Sequence, residues 1–242
     1  MSYTVERVTD HVYALLRWDE TWQSYNNSYL IQDREQFILI DAGKAEHAQE
    51  LGEALAQVGC PLEAIGLFIA THGHRDHIGG ALGLPNADKF IHPLDLDLLQ
   101  DDWRAQFRTD LTASSVTRHF DVHHLGDHTW GSIALYHRAS RILFVGDHYC
   151  FFGDELPDEQ VVACAVRMGD LLEPYRPEMS GEEQRTTRYE LAAFNQELSD
   201  IARIPAAFLC TGHGVVLHGD IQSFLQRGAS MDDNEVLSYV MR

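Results

Sequence analysis

The sequence predicts an α/β sandwich, two sheets packed face to face with helices on their outer faces. Three observations carry that prediction. Strand-length apolar runs and helix-spaced segments occur in both halves of the chain, as layered α/β folds require. Several of those strands end on histidine, aspartate or glycine, the pattern of loops that build a site at one sheet edge. Neither an internal repeat nor a low-complexity linker interrupts the 242 residues, so 1–242 is expected to form one domain.

In chain order, residues 3–8 and 12–16 alternate around a turn at Thr9-Asp10-His11, and 28–32 and 37–40 flank a polar turn at 33–36. From 45 to 58 apolar residues recur at helical spacing (Ala48, Leu51, Leu55, Val58), and Gly59 with Pro61 stops the helix. A buried strand at 65–70 leads into the densest motif of the chain. A short helix at 78–84, a short strand at 90–92 and a helix from Pro93 to about Ala105 follow. Residues 107–119 read as a loop or flap, and strands are expected at 120–125, 132–137 and 141–145. After irregular chain at 148–160 come helices at 161–172 and 182–201, a last core strand at 206–210 and a closing helix at 220–227. The 148–201 segment is expected to form a helical lid or to shape the substrate's access.

Charge removes one class of function. A formal charge of −19 is incompatible with a phosphate-gripping stripe, so no nucleic-acid partner is expected. The acidic residues of 153–183 read as a solvated surface. The longest apolar runs are strand-sized, so no membrane span is expected. The N-terminal residues lack a basic region followed by an apolar core, which points to a cytoplasmic location. Cys60, Cys150, Cys164 and Cys210 are scattered and are expected to be buried, reduced thiols. Cys150 and Cys210 each stand three positions from an expected ligand, which leaves a role behind those ligands open.

The stretch Thr71-His72-Gly73-His74-Arg75-Asp76-His77-Ile78-Gly79-Gly80 places three imidazoles and one carboxylate within six residues. Imidazole and carboxylate are the ligands of borderline cations such as zinc. In extended chain His72 and His74 face the same way and can grip one ion, while Asp76 and His77, beyond the turn, can face a second. Other strand ends repeat the theme. The 120–125 strand leads to His128, the 141–145 strand to Asp147, and the 206–210 strand to His213 between two glycines.

In this order the elements resemble the metallo-β-lactamase fold superfamily. The matching parts are His-x-His-x-Asp-His followed by Gly-Gly, Asp41 in Leu39-Ile40-Asp41-Ala42-Gly43, and His128 in His-Thr-x-Gly-Ser. Asp147 after Phe144-Val145-Gly146 and His213 in Gly-His-Gly complete the set, and the resemblance runs from about Asn27 to Arg227. It implies a four-layer αββα sandwich and two divalent ions, with zinc the first expectation and iron or manganese the alternatives. One ion would be held by His72, His74 and His128, the other by Asp76, His77 and His213, with Asp147 bridging. Asp41 would support the metal loop without binding metal. Trp130 and Asp127 depart from the family, which commonly has proline and often glycine at those positions.

The chemistry implied is hydrolysis. Water bridging two such ions loses a proton near neutral pH and becomes a hydroxide nucleophile, which Asp76 can orient. A small ester, thioester or lactone is the expected substrate, in the glyoxalase II/lactonase-like branch. The stretch 148–155 lacks the basic residues that glyoxalase II-type enzymes use for glutathione. Around the ligands, His148 is expected to line the pocket and assist the leaving group, and Tyr149 and Phe152 to wall it. Trp18, Trp22 and Tyr25, in an early loop, are expected at the rim, and His123 and His124 are expected to be structural. Two alternatives stand beside the hydrolase. One is a persulfide dioxygenase-like oxidoreductase with one iron at His72, His128 and Asp147; the other is a phosphodiesterase or a non-catalytic metal-stabilised binding protein. The expected partner is a small-molecule substrate, and a homodimer is left open.

Overall fold

Ile38 and Ile40 point to one face of their strand and Leu39 to the other, and all three are completely buried. A strand apolar on both faces has to lie between two covering layers. A computed structural model shows those layers for residues 3–33, 36–152, 162–165, 173–174, 191–229 and 239–240. The first sheet is built from β1 (Thr4–Thr9), β2 (Val12–Asp19), β3 (Ser24–Gln32), β4 (Phe37–Ile40), β5 (Ile65–Ile69), β6 (Asp88–Phe90) and β7 (Phe107–Arg108). These strands lie side by side in chain order, antiparallel as far as β4 and parallel beyond it.

The second half contributes β8 (Phe120–His124), β9 (Ile133–His137), β10 (Ile142–Gly146), β11 (Phe151–Phe152), β12 (Val162–Cys164), β13 (Glu173–Pro174), β14 (Phe208–Thr211), β15 (Val216–His218) and β16 (Tyr239–Val240). Six of them form the second sheet in the order β12-β15-β14-β10-β9-β8, and β11-β16-β13 make a small third one.

Period-two alternation sorts the core into three seams. Ile31, Ile38, Ile40, Leu67 and Ile69 of the first sheet meet Ile133, Leu135, Ile142 and Phe144 of the second in the middle seam. On the outer face of the first sheet, Leu39 and Phe68 pack against Leu51, Ala54 and Leu55 of α1 (Ala48–Gln57). Three short helices follow: α2 (Arg75–Ile78), α3 (Asp101–Arg104) and α4 (Ser114–Thr117). Outside the second sheet, Leu143, Val145, Leu209 and Leu217 meet Phe194 and Leu198 of α5 (Leu191–Ile201) and Phe224 and Leu225 of α6 (Ile221–Ala229). This is the αββα sandwich that the sequence predicts.

The topology gathers the site. β4 runs parallel to β5, and β10 parallel to β14, so the loops after Ile40, Ile69, Gly146 and Thr211 emerge at like ends of their sheets. Backbone hydrogen bonds join the halves there: Asn27 N–H donates to the Gly212 carbonyl at 2.9 Å, and Ile133 N–H to the Thr71 carbonyl at 2.9 Å.

Several expectations need correction. Within the helix expected at 161–172, Val162–Cys164 is a strand: it pairs in parallel with β15, itself unforeseen, and pairing outweighs helical spacing in so short a segment. The early loop holding Trp18 and Tyr25 is a continuation of β2 and β3, in which the two residues are cross-strand partners. The helix after Pro93 breaks into a 3-10 turn, Pro93–Leu98, and α3. The flap at 107–119 contains β7 and α4. Of the lid segment, 153–161, 166–172 and 175–190 lie outside the described residues, as does the start of the helix expected at 182–201. Among the described residues no helix is long and apolar enough to cross a membrane.

Close packing beneath the motif gives a stability prediction. A Cβ on Gly80 would overlap the Ala42 carbonyl oxygen, which belongs to the backbone and cannot swing away. Gly80→Ala is expected to cost about 1–3 kcal/mol, read as a lower urea midpoint at unchanged slope.

Candidate metal centre

Asp41 ends β4 with φ at +54°, a left-handed conformation uncommon for a residue other than glycine. Its carboxylate holds that geometry through three hydrogen bonds. Thr71 donates its N–H at 2.8 Å and its hydroxyl at 2.7 Å, and His77 donates Nδ1–H at 2.9 Å. An imidazole that spends Nδ1–H on a carboxylate presents the lone pair of Nε2 in the opposite direction. The same device orients His213, whose Nδ1–H donates to the Tyr25 carbonyl at 3.1 Å. Thr71 Oγ1, its proton given to Asp41, lies 3.2 Å from His72 Nδ1 and can accept from it.

The freed nitrogens and two carboxylates form two groups. His72, His74, His128 and Asp147 make one, and Asp76, His77, Asp147 and His213 the other, with donor atoms in each within 4.8 Å of one another. In the first, His128 Nε2 lies 3.0 Å from His74 Nδ1 and 3.5 Å from Asp147 Oδ2. In the second, Asp147 Oδ1 is 3.2 Å from His77 Nε2, and Asp147 Oδ2 is 3.3 Å from His213 Nε2. Asp76 Oδ2 lies 3.3 Å from His77 Nε2 and 3.4 Å from His213 Nε2. Asp147 thus belongs to both groups.

The residues fit a pair of divalent cations. His72 Nε2, His77 Nε2 and Asp147 Oδ1 are buried and lack a hydrogen-bond partner. Each such orphan costs free energy unless something satisfies it, and a cation among them does so. Nitrogen and carboxylate oxygen are donors suited to zinc, iron or manganese.

Electrostatics makes the groups unequal. Burial and the neighbouring imidazoles push His72 well below its ordinary range and His74 down to about 4, so both are neutral donors at pH 7. In the second group burial also disfavours charge, yet Asp147 and Asp76 outweigh it. His77 rises well above its ordinary value, with Asp41 adding to the effect, and His213 rises to about 9. Asp76 and Asp147 are conversely held well below the carboxylate range by those imidazoles, against burial. Two carboxylates in one pocket demand positive charge, supplied by imidazolium protons or by metal.

Other expected site residues scatter. Trp22 lies with its ring edge-on to His213, centroids 4.9 Å apart, and is 37% exposed, which puts it at the rim. Trp18 packs against Tyr25 with 5.2 Å between centroids, and Tyr25 reaches the centre through its carbonyl. Tyr149, expected along the pocket wall, is buried in the outer seam against Phe151 and Phe224. The side chain of Phe152 lies outside the described residues. His148 is buried outside both groups, facing Asp127. His124 stacks on His92, and His123 sits half-buried on the same strand. All four cysteines are free thiols, and burial raises Cys150 and Cys210 well above the usual range.

Sequence reasoning misses Asp95. Completely buried, its Oδ2 accepts from Gly73 N–H and Thr129 Oγ1–H, and its Oδ1 from Gly131 N–H, each at 2.7 Å. It ties the His72–His74 loop to the His128 loop. An aspartate two residues after Pro93 reads as an ordinary helix start, so the sequence carries no signal of this role.

A family model described as the metallo-beta-lactamase superfamily matches residues 21–213. The chain belongs to that superfamily. Its sequence is 35% identical over 80 residues to the uncharacterized protein YobT of Bacillus subtilis (strain 168), a match covering 31% of this chain and 33% of YobT. Among solved structures, the flavodiiron protein from Giardia intestinalis superposes with a TM-score of 0.68 at 18% identity, over 93% of this chain and 58% of its own. The metallo-beta-lactamase FIM-1 from Pseudomonas aeruginosa, in its mono-zinc form, superposes with a TM-score of 0.63 at 16% identity, over 95% of each chain. At such identities the likeness is one of superfamily fold.

The unequal groups make a pH prediction. Cation uptake by Asp76, His77, Asp147 and His213 displaces protons, so affinity there should strengthen as pH rises towards about 9, the value for His213. Uptake by the first group should depend less on pH, because His72 and His74 are already neutral donors there. Zinc titration calorimetry at pH 6 and 8, in buffers of different ionisation enthalpy, checks both the trend and the proton release.

Proposed function

We propose that the protein is a dinuclear metal-dependent hydrolase acting on a small ester, thioester or lactone. The observation that carries the reading is Asp147, one carboxylate within reach of both donor groups. Its orphaned Oδ1 and the unpartnered Nε2 atoms of His72 and His77 support it. His72, His74 and His128 would hold one ion, Asp76, His77 and His213 the other, with Asp147 between them. Bound zinc would supply Lewis acidity and lower the pKa of water held at the centre.

The chain's own residues do the rest. Asp76 stays ionised and accepts from the Asn26 side-chain amide at 3.4 Å, which steadies it for orienting the attacking water and holding its proton. Asp41, behind His77, keeps that imidazole aimed inward. Trp22 offers an apolar surface at the rim for the substrate's acyl portion. The lactonase-like branch is favoured over a glutathione thioester because 148–155 carries no lysine or arginine. We further read the protein as a one-domain cytoplasmic enzyme with a small-molecule substrate.

An oxidoreductase is the second reading, because the Giardia flavodiiron protein shares the fold. Metal content separates the two. Protein purified without chelators is expected to carry two zinc-like ions per chain and to hydrolyse members of a panel of chromogenic esters, thioesters and lactones. Asp147→Ala is expected to lose most bound metal and at least about 100-fold in kcat/KM. Full hydrolysis by chelator-stripped protein would falsify the mechanism. Iron in place of zinc, one or two ions per chain, with oxygen consumption would replace it with the oxidoreductase.

A further inference from the structure

Beyond the two donor groups, Asp127, His148 and Glu197 converge. Asp127 immediately precedes His128, and His148 immediately follows Asp147. Both side chains are buried, Asp127 at 4% exposure and His148 at 3%, and His148 Nδ1–H donates to Asp127 Oδ2 at 2.6 Å. From α5, Glu197 brings Oε2 to 3.9 Å from the same nitrogen, too far for a hydrogen bond. Phe194, one turn earlier, packs its ring on the imidazole with 4.7 Å between centroids.

Two donors on one tetrahedral zinc at about 2.0–2.1 Å each stand roughly 3.3 Å apart. The 2.6 Å separation is therefore that of a hydrogen bond, with no room for a shared cation. Its position in the chain gives it leverage. His128 sits on the β8–β9 loop and Asp147 at the end of β10, and their donor atoms lie 3.5 Å apart. The Asp127–His148 bond links those two pieces of backbone one residue from each ligand. On the other flank, Asp95 grips Thr129 and Gly131, so His128 is bracketed on both sides.

We propose that Asp127 and His148 are a positioning pair whose hydrogen bond sets the spacing of His128 and Asp147. The pair thereby preorganises the His72–His74–His128–Asp147 group for a cation. The inference rests on the reading that His128 and Asp147 bind metal. It makes a selective demand. His128 belongs to one group alone, while Asp147 also lies beside His77 and His213 in the other, so loss of the pair weakens one site and spares the other.

Titration of the full chain with cobalt(II), followed by visible absorption, tests this. Wild type is expected to take up two equivalents. Asp127→Ala should weaken one of them by about 10-fold or more and leave the second unchanged. Asp127→Asn, which keeps an acceptor oxygen for His148, should restore most of that loss. His148→Phe keeps the ring volume against Phe194 without the donor, and should repeat the selective weakening should Asp127→Ala fail to fold. Two equivalents bound by these variants as tightly as by wild type would overturn the pair. So would equal weakening of both equivalents, the mark of a general structural role. A third wild-type equivalent removed by Asp127→Ala would make the cluster a cation site instead. Wild-type protein that takes up no cobalt would overturn the metal reading and this inference with it.

Discussion

The carboxylate of Asp41 is the constraint on which the centre depends. Two bonds from Thr71 fix the start of the motif to the end of β4, and the third, from His77 Nδ1, decides which nitrogen faces the pocket. The left-handed backbone at Asp41 costs free energy of order 1 kcal/mol or more and persists because these bonds over-determine it. Further support comes from the next residue, where Ala42 N–H donates to the His77 carbonyl at 2.7 Å. Ligand direction is thus set by the chain's own hydrogen bonds.

Around that fixed point the site is a problem of charge balance. The chain carries a formal −19, yet its centre concentrates imidazoles. In the first group burial and crowding keep His72 and His74 neutral. In the second, Asp76 and Asp147 draw protons onto His77 and His213. One pocket therefore offers neutral imidazoles at His72 and His74 beside a pair that must give up protons, with Asp147 common to both groups. Asp95 and the Asp127–His148 bond lie behind this arrangement and hold the loops that carry it.

What was legible in the sequence follows from how local each signal is. His72, His74, Asp76 and His77 lie within six residues of one strand end, so their grouping is nearly a property of the chain itself. His128, Asp147 and His213 each follow a recognisable strand, and their order along the chain joined them to the motif. Asp95 and Asp127 were not legible in these roles, because a buried carboxylate's meaning lies in which distant N–H or hydroxyl it meets. Tyr149 was misassigned for a related reason: an aromatic beside a site reads the same from sequence whether it faces the pocket or the seam behind it. Val162–Cys164 became a strand through pairing with β15, a partner that no local pattern announced.

The placement of the ligands has a consequence for how the chain holds together. His72, His74, Asp76 and His77 come from the first sheet's half, and His128, Asp147 and His213 from the second. Metal bound among them is a cross-link between halves, closing loops of tens of residues and lowering the entropy of every state in which the sheets part. The Asn27–Gly212 and Thr71–Ile133 backbone bonds lie along that same edge and would share its protection. Cofactor loading is then also a fastening, and the edge where chemistry is expected is the edge by which the sandwich is shut.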